Sequence, residues 1–115
     1  MGKDLADNYS VSRQVFEEVD DALGIPLSRL CFEGPAEELQ LTENTQPAIL
    51  SVSIAAYRAL EANGFRAPAF VAGHSLGEYS ALVAAGVLSL SDAVKTVRAR
   101  GRYMRTKRNH LSYFI

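Results

Sequence analysis

One cysteine and two histidines among 115 residues set the first limits on this chain. Cys31 has no partner for an intramolecular disulfide, which excludes a disulfide-stapled secreted fold and favours a reducing compartment. It sits in LCFEG, with Arg29 as its one basic neighbour and no glycine-framed turn, so it reads as a small buried apolar residue and not as a nucleophile. Charge of one sign is also lacking: 12 basic and 13 acidic side chains leave a formal net charge of -1, and nothing global points to nucleic acid. No apolar run approaches the ~18 residues of a membrane span. The opening MGKDLADNYS has neither the apolar centre of a signal peptide nor the sixth-position Ser or Thr of a myristoylation site. Repeats and low-complexity segments are missing as well. With 48% hydrophobic residues, the expectation is a soluble, cytoplasmic globular domain, with no membrane or nucleic-acid partner and no metal.

What is present is mostly helical pattern. From Asp4 to Leu23, apolar residues recur at helical spacing with Glu17, Glu18, Asp20 and Asp21 between them. This predicts an amphipathic helix starting near Ser10 or Ser12 and ended by Gly24 and Pro26. Leu27 to Glu43 reads as connecting turns, with a helical turn around Ala36 to Leu39. A second helix is expected from a cap at Asn44 or Thr45, with Pro47 in its first turn and Asn63-Gly64 as its stop. Its apolar residues surround most of its circumference, so it should lie sandwiched between other elements. Glu78 to Ala85 reads as a third helix, and a fourth opens at Ser91-Asp92 with Val94, Val97, Gly101 and Met104 on one face.

Strand pattern is the main scarcity. Only Ala69 to Ala72, AFVA, reads as a strand, short and wholly apolar like those inside parallel sheets. A strand buried on both faces must pair its N–H and C=O groups with neighbours, and the chain offers only a weak candidate at Tyr113 to Ile115. The pattern is that of a piece of a larger α/β domain.

Gly73-His74-Ser75-Leu76-Gly77 is a G-x-S-x-G element between that strand and a helix. A strand-to-helix turn this sharp strains the serine backbone, and glycines are expected on both sides because a Cβ there would collide with the adjoining elements. The Ser75 hydroxyl would then stand at a helix N-terminus, where free N–H groups favour developing negative charge, with the Leu76 N–H as first oxyanion donor. A serine hydroxyl needs a base. His74 is adjacent, but neighbouring side chains diverge on a sharp turn, so a structural or supporting role beside the substrate fits it better. His110 lies in KRNHLSYFI with nothing to orient it.

QPAILSVSIAAYRAL, AGHSLGEYSALVAAGVLSLSDAV and VRARGRYM resemble the first half of the bacterial malonyl-CoA:acyl-carrier-protein transacylases, a match running from about Met1 to Met104. The resemblance implies an α/β-hydrolase-like core with an inserted ferredoxin-like subdomain. It also implies ping-pong transfer of malonyl from coenzyme A to the phosphopantetheine thiol of acyl carrier protein, without a permanently bound cofactor. Ser75 would be the nucleophile, Leu76 an oxyanion donor, and Arg100 the guanidinium that holds the malonate carboxylate bidentately. Gln46 matches another position near that site, although by itself it reads as a helix-start residue. The helical wheel places Arg98 and Arg105 as well as Arg100, and only the resemblance selects among them.

The same resemblance implies what lies outside this chain. Family members begin with an apolar strand and a loop of the type G-Q-G-S-Q, which supplies a second oxyanion donor, and their catalytic histidine and inserted subdomain come later. The expectation is a helix-rich α/β fragment, truncated at both ends and inactive alone. Residues 1–104 would form a partial acyltransferase domain and 105–115 a divergent basic tail. An esterase or thioesterase fragment shares the elbow logic but has no need for a cation at Arg100. A non-catalytic reading rests on the seven basic residues that follow Asp92, with no acidic one among them, which could dock an acidic carrier protein.

Overall fold

The computed structural model describes residues 1–66 and 68–112, the last six of these by backbone alone. Among the described residues seven helices follow one another: α1 Lys3–Asn8, α2 Ser10–Leu23, α3 Leu27–Glu33, α4 Ala36–Leu39, α5 Thr42–Ala62, α6 Leu76–Ala84 and α7 Leu90–Ser112. The nearly all-round apolar helix is α5, and it does lie in the middle, packed against α7, α2 and α6 and touching α1, α3 and α4. Its Ala48, Leu50, Ile54 and Ala55 meet Val15, Phe16 and Val19 of α2 and Ala93, Val94 and Val97 of α7 in one core. Burial of each such Val, Leu or Ile contributes roughly 1.5–3 kcal/mol. The two serines in this core are satisfied: Ser12 Oγ donates to the Ala55 carbonyl at 2.8 Å, and Ser51 Oγ to the Pro47 carbonyl at 2.6 Å.

Stops and starts are partly where sequence places them. Gly24 ends α2 at φ 68°, its N–H donating to the Asp20 carbonyl, and Gly64 follows α5 at φ 89°. The start of α5 differs, lying at Thr42 and not at Asn44 or Thr45. Those two side chains instead donate backwards, Asn44 Nδ2 to the Glu38 carbonyl at 2.8 Å and Thr45 Oγ1 to the Leu39 carbonyl, tying α4 to α5. The start of α7 is set by Ser89, whose Oγ accepts the Asp92 N–H at 3.1 Å. α7 runs unbroken to Ser112, through the point at which the helical pattern was expected to give way to a tail. The side chain of His110 and all of Tyr113 to Ile115 lie outside the described residues.

Two expectations fail. Leu27 to Glu33 is a helix where turns were expected, and no strand forms at Ala69 to Ala72 or elsewhere among the described residues. The second failure has a simple cause. Strand backbone is stabilised by a ladder to a neighbouring strand, and the described residues offer none to this segment, whose Phe70 is 92% exposed.

Candidate active site

Ser75 is the one non-glycine residue with positive φ among those described, at φ 56° and ψ -120°. Such a backbone costs an L-residue of order 1–3 kcal/mol and persists only where its surroundings impose it. Gly73 is part of that imposition: a Cβ on it would lie 2.0 Å from the Gly77 oxygen, so no other residue fits. Gly77 is different. A Cβ there would meet open space, and the expected collision on both sides of the serine holds for one side only. The turn closes through the Gly77 N–H on the His74 carbonyl at 3.0 Å and the Glu78 N–H on the Ser75 carbonyl at 3.1 Å. Leu76 then begins α6, a position whose N–H has no intrahelical acceptor.

Facing this elbow, α7 brings in Arg100. Its Nη2 donates to Ser75 Oγ at 2.9 Å and its Nη1 to Gln46 Oε1 at 2.6 Å. The guanidinium carbon stands 5.7 Å from the centre of the Tyr79 ring, within cation–π range. Gln46 Nε2 in turn points at Met104 Sδ, 3.9 Å away. The structure therefore gathers Ser75, Arg100 and Gln46 from three separate helices or their edges.

The arginines among which the helical wheel does not choose point in different directions, Arg100 alone of the three towards Ser75. Arg102 Nε donates to Glu43 Oε2 at 3.1 Å and Arg105 pairs with the same carboxylate. Arg98 turns towards Ala22 and Leu23 at the end of α2, its Nε buried without a hydrogen-bond partner among the described residues. His74 is exposed, and the side-chain partner of Ser75 Oγ among the described residues is Arg100 and not an imidazole. Cys31 is 3% exposed, and burial pushes its thiol up to about 11, so it stays protonated and inert. No cluster of three or more His, Cys, Asp or Glu able to hold a metal occurs among the described residues, and no helix there is long and apolar enough to cross a membrane.

Two contributors escaped the sequence reading. Tyr79 lies four residues after Ser75, one turn along α6, and helical spacing alone would place it over the same site. Glu43 lies one turn before Gln46 on α5, where it anchors the two arginines that follow Arg100. Beneath the elbow, Ile49, Ile54, Tyr57, Phe70, Leu76 and Ala81 line much of an open apolar groove of about 550 Å³.

The chain is similar to proteins of known kind. The malonyl CoA-acyl carrier protein transacylase of Bacillus subtilis (strain 168) is 55% identical over 104 residues, covering 90% of this chain and 32% of that protein. A crystal structure of an acyl-carrier-protein-S-malonyltransferase from Bartonella henselae superposes with a TM-score of 0.87 at 53% identity, over 91% of this chain and 34% of that one. A type II polyketide acyl carrier protein in complex with its malonyl-transacylase matches with a TM-score of 0.86 at 47% identity, covering 92% and 34%. The chain thus spans about a third of the length of such relatives, less than the half its motifs suggested, and its helices are those of an α/β acyltransferase fold. Since the family model for the acyl transferase domain matches residues 1–110, taking in the strained serine and the arginine against it, the chain belongs to the acyl transferase domain family.

Proposed function

We propose that this chain carries the nucleophile and the carboxylate clamp of a malonyl transferase acting between coenzyme A and acyl carrier protein in fatty acid synthesis. The observation that carries the reading is the Arg100 guanidinium in hydrogen-bond contact with the Ser75 hydroxyl. A serine that accepts neutral acyl groups gains nothing from a cation there, whereas an acyl group ending in a carboxylate gains a bidentate partner.

In this reading malonyl-CoA places its free carboxylate on Arg100, with Gln46 and Tyr79 steadying the guanidinium. Ser75 Oγ attacks the thioester carbonyl and its proton passes to a base. The oxyanion is held by the Leu76 N–H at the start of α6, the C–S bond breaks, and coenzyme A leaves as the protonated thiol. The phosphopantetheine thiol of the carrier protein then attacks the seryl ester, the C–O bond breaks, and the proton returns to Ser75. His74 serves the turn through its backbone and lies beside the substrate entrance. The base, the second oxyanion donor, the first strand and a ferredoxin-like subdomain are assigned to the two thirds of the relatives' length that this chain does not span, which accords with the lack of an imidazole on Ser75 among the described residues. No resident cofactor is needed for this chemistry.

Calorimetric titration with malonyl-CoA and acetyl-CoA tests the assignment. A charge-assisted pair contributes roughly 1.5–3 kcal/mol, so Arg100→Ala should weaken malonyl-CoA binding by about 10- to 100-fold and leave acetyl-CoA unchanged. Equal affinity of the parent for both thioesters would remove the malonyl assignment. Rapid aryl-ester hydrolysis indifferent to Arg100→Ala would put an esterase in its place.

A further inference from the structure

We propose that Arg100 is a two-position residue that masks Ser75 until an acyl carboxylate draws it away. The inference rests on the malonyl-transfer reading above. The guanidinium donates directly to Ser75 Oγ at 2.9 Å, engaging one of its two lone pairs and drawing electron density from the oxygen that must attack. That contact and the clamped state exclude one another. A malonyl ester on Ser75 interposes a carbonyl carbon and a methylene between Oγ and the carboxylate, so a guanidinium seated on the carboxylate can no longer rest on Oγ.

The anchors of Arg100 are suited to such a transfer. Arg102 and Arg105 are held by the Glu43 carboxylate, but the groups around Arg100 are neutral: the Gln46 amide at 2.6 Å, the Ser75 hydroxyl and the Tyr79 ring. A carboxylate offers the guanidinium an opposite charge and two parallel hydrogen bonds where a hydroxyl offers one, so an arriving carboxylate outcompetes the hydroxyl for it. Gln46 and Tyr79 can keep the side chain oriented while it moves. An acetyl or other neutral acyl group has nothing with which to pull Arg100 off, and it meets a nucleophile still engaged. Selectivity for malonyl would then reside in the rate of acylation as well as in binding, with Arg100 answering for both.

The mask can be tested without acyl transfer. A neutral alkyl fluorophosphonate reports on Ser75 directly: Oγ bonds to phosphorus, the P–F bond breaks with loss of fluoride, and the hydroxyl proton goes to buffer. Labelling is followed by intact mass, with Ser75→Ala as the control for site. Arg100→Ala is expected to label several-fold faster than the parent. Saturating malonate should speed the parent several-fold and leave Arg100→Ala unaffected, and acetate should do nothing to either. Equal labelling of parent and Arg100→Ala, including none in both, overturns the proposal, as does malonate that slows the parent by simple occupancy. Calorimetry with malonate separates the two readings. Absence of binding removes the carboxylate clamp and the mask together, whereas binding without faster labelling removes the mask alone. Should circular dichroism show Arg100→Ala misfolded, the malonate arm on the parent decides.

Discussion

A methyl group on Gly73 would be driven into the Gly77 carbonyl, whereas one on Gly77 would meet open space. Gly73→Ala is therefore expected to destabilise the chain by roughly 3 kcal/mol, at the upper end of ordinary single substitutions, and to abolish labelling of Ser75. Gly77→Ala sits inside α6, where alanine is favoured over glycine by about 0.5–1 kcal/mol, and should be neutral or stabilising. Urea unfolding of the two variants gives the comparison, and the reverse order would mean that the elbow is held by something other than this close approach. At this scale the serine was legible, because G-x-S-x-G between an extended segment and a helix demands one backbone geometry. Arg100 was not legible from its own helix, since Arg98 and Arg105 flank the same face and only the side-chain directions tell them apart.

Helices α5 and α7 pack more extensively than any other pair among the described residues, and at Gly101 their backbones come close. A Cβ there would lie 2.6 Å from the Thr42 carbonyl oxygen and 2.7 Å from Glu43 Cα, backbone atoms that cannot swing aside. The absent side chain lets the first turn of α5 sit against α7, with Gln46 opposite Arg100 and Glu43 opposite Arg102 and Arg105. Gly101→Ala should cost about 1–3 kcal/mol by overpacking and weaken malonyl-CoA binding as the helices separate. A full-strength complex in a destabilised variant would show that the site tolerates the shift. The long helices were legible because apolar residues recur along them, and glycines follow the ends of α2 and α5. α3 was not, because part of what fixes its first turn lies in another element: the Ser28 N–H donates to Asp20 Oδ1 of α2 at 2.8 Å. α1 and α2 are divided only by the extended backbone of Tyr9, with neither glycine nor proline to announce a break. The expected strand at Ala69 to Ala72 failed for the complementary reason, being a structure that a single segment cannot make by itself.

For the whole molecule, the uneven distribution of apolar surface is the feature with the largest consequence. Phe70 is 92% exposed, Val87 73% and Phe65 64%, and α6 buries no residue fully. Exposed apolar side chains of this size favour association, so sedimentation velocity should show concentration-dependent self-association that Phe70→Ser reduces. A parent that stays monomeric across the accessible range would contradict this. The hydrophobic pattern of AFVA marked Phe70 as belonging inside, and what would cover it could not be read from that segment, because a strand's neighbours are not specified by the strand itself. Ser75 shows the opposite tension, between a residue and its own fold. At φ 56° and ψ -120° the backbone there suits glycine better than any residue bearing a Cβ. If heat tolerance were the sole currency of selection, position 75 would drift towards glycine and the hydroxyl would vanish from the lineage. In the proposed reading, the strain at this position is stability given up so that a hydroxyl can stand at the N-terminus of α6.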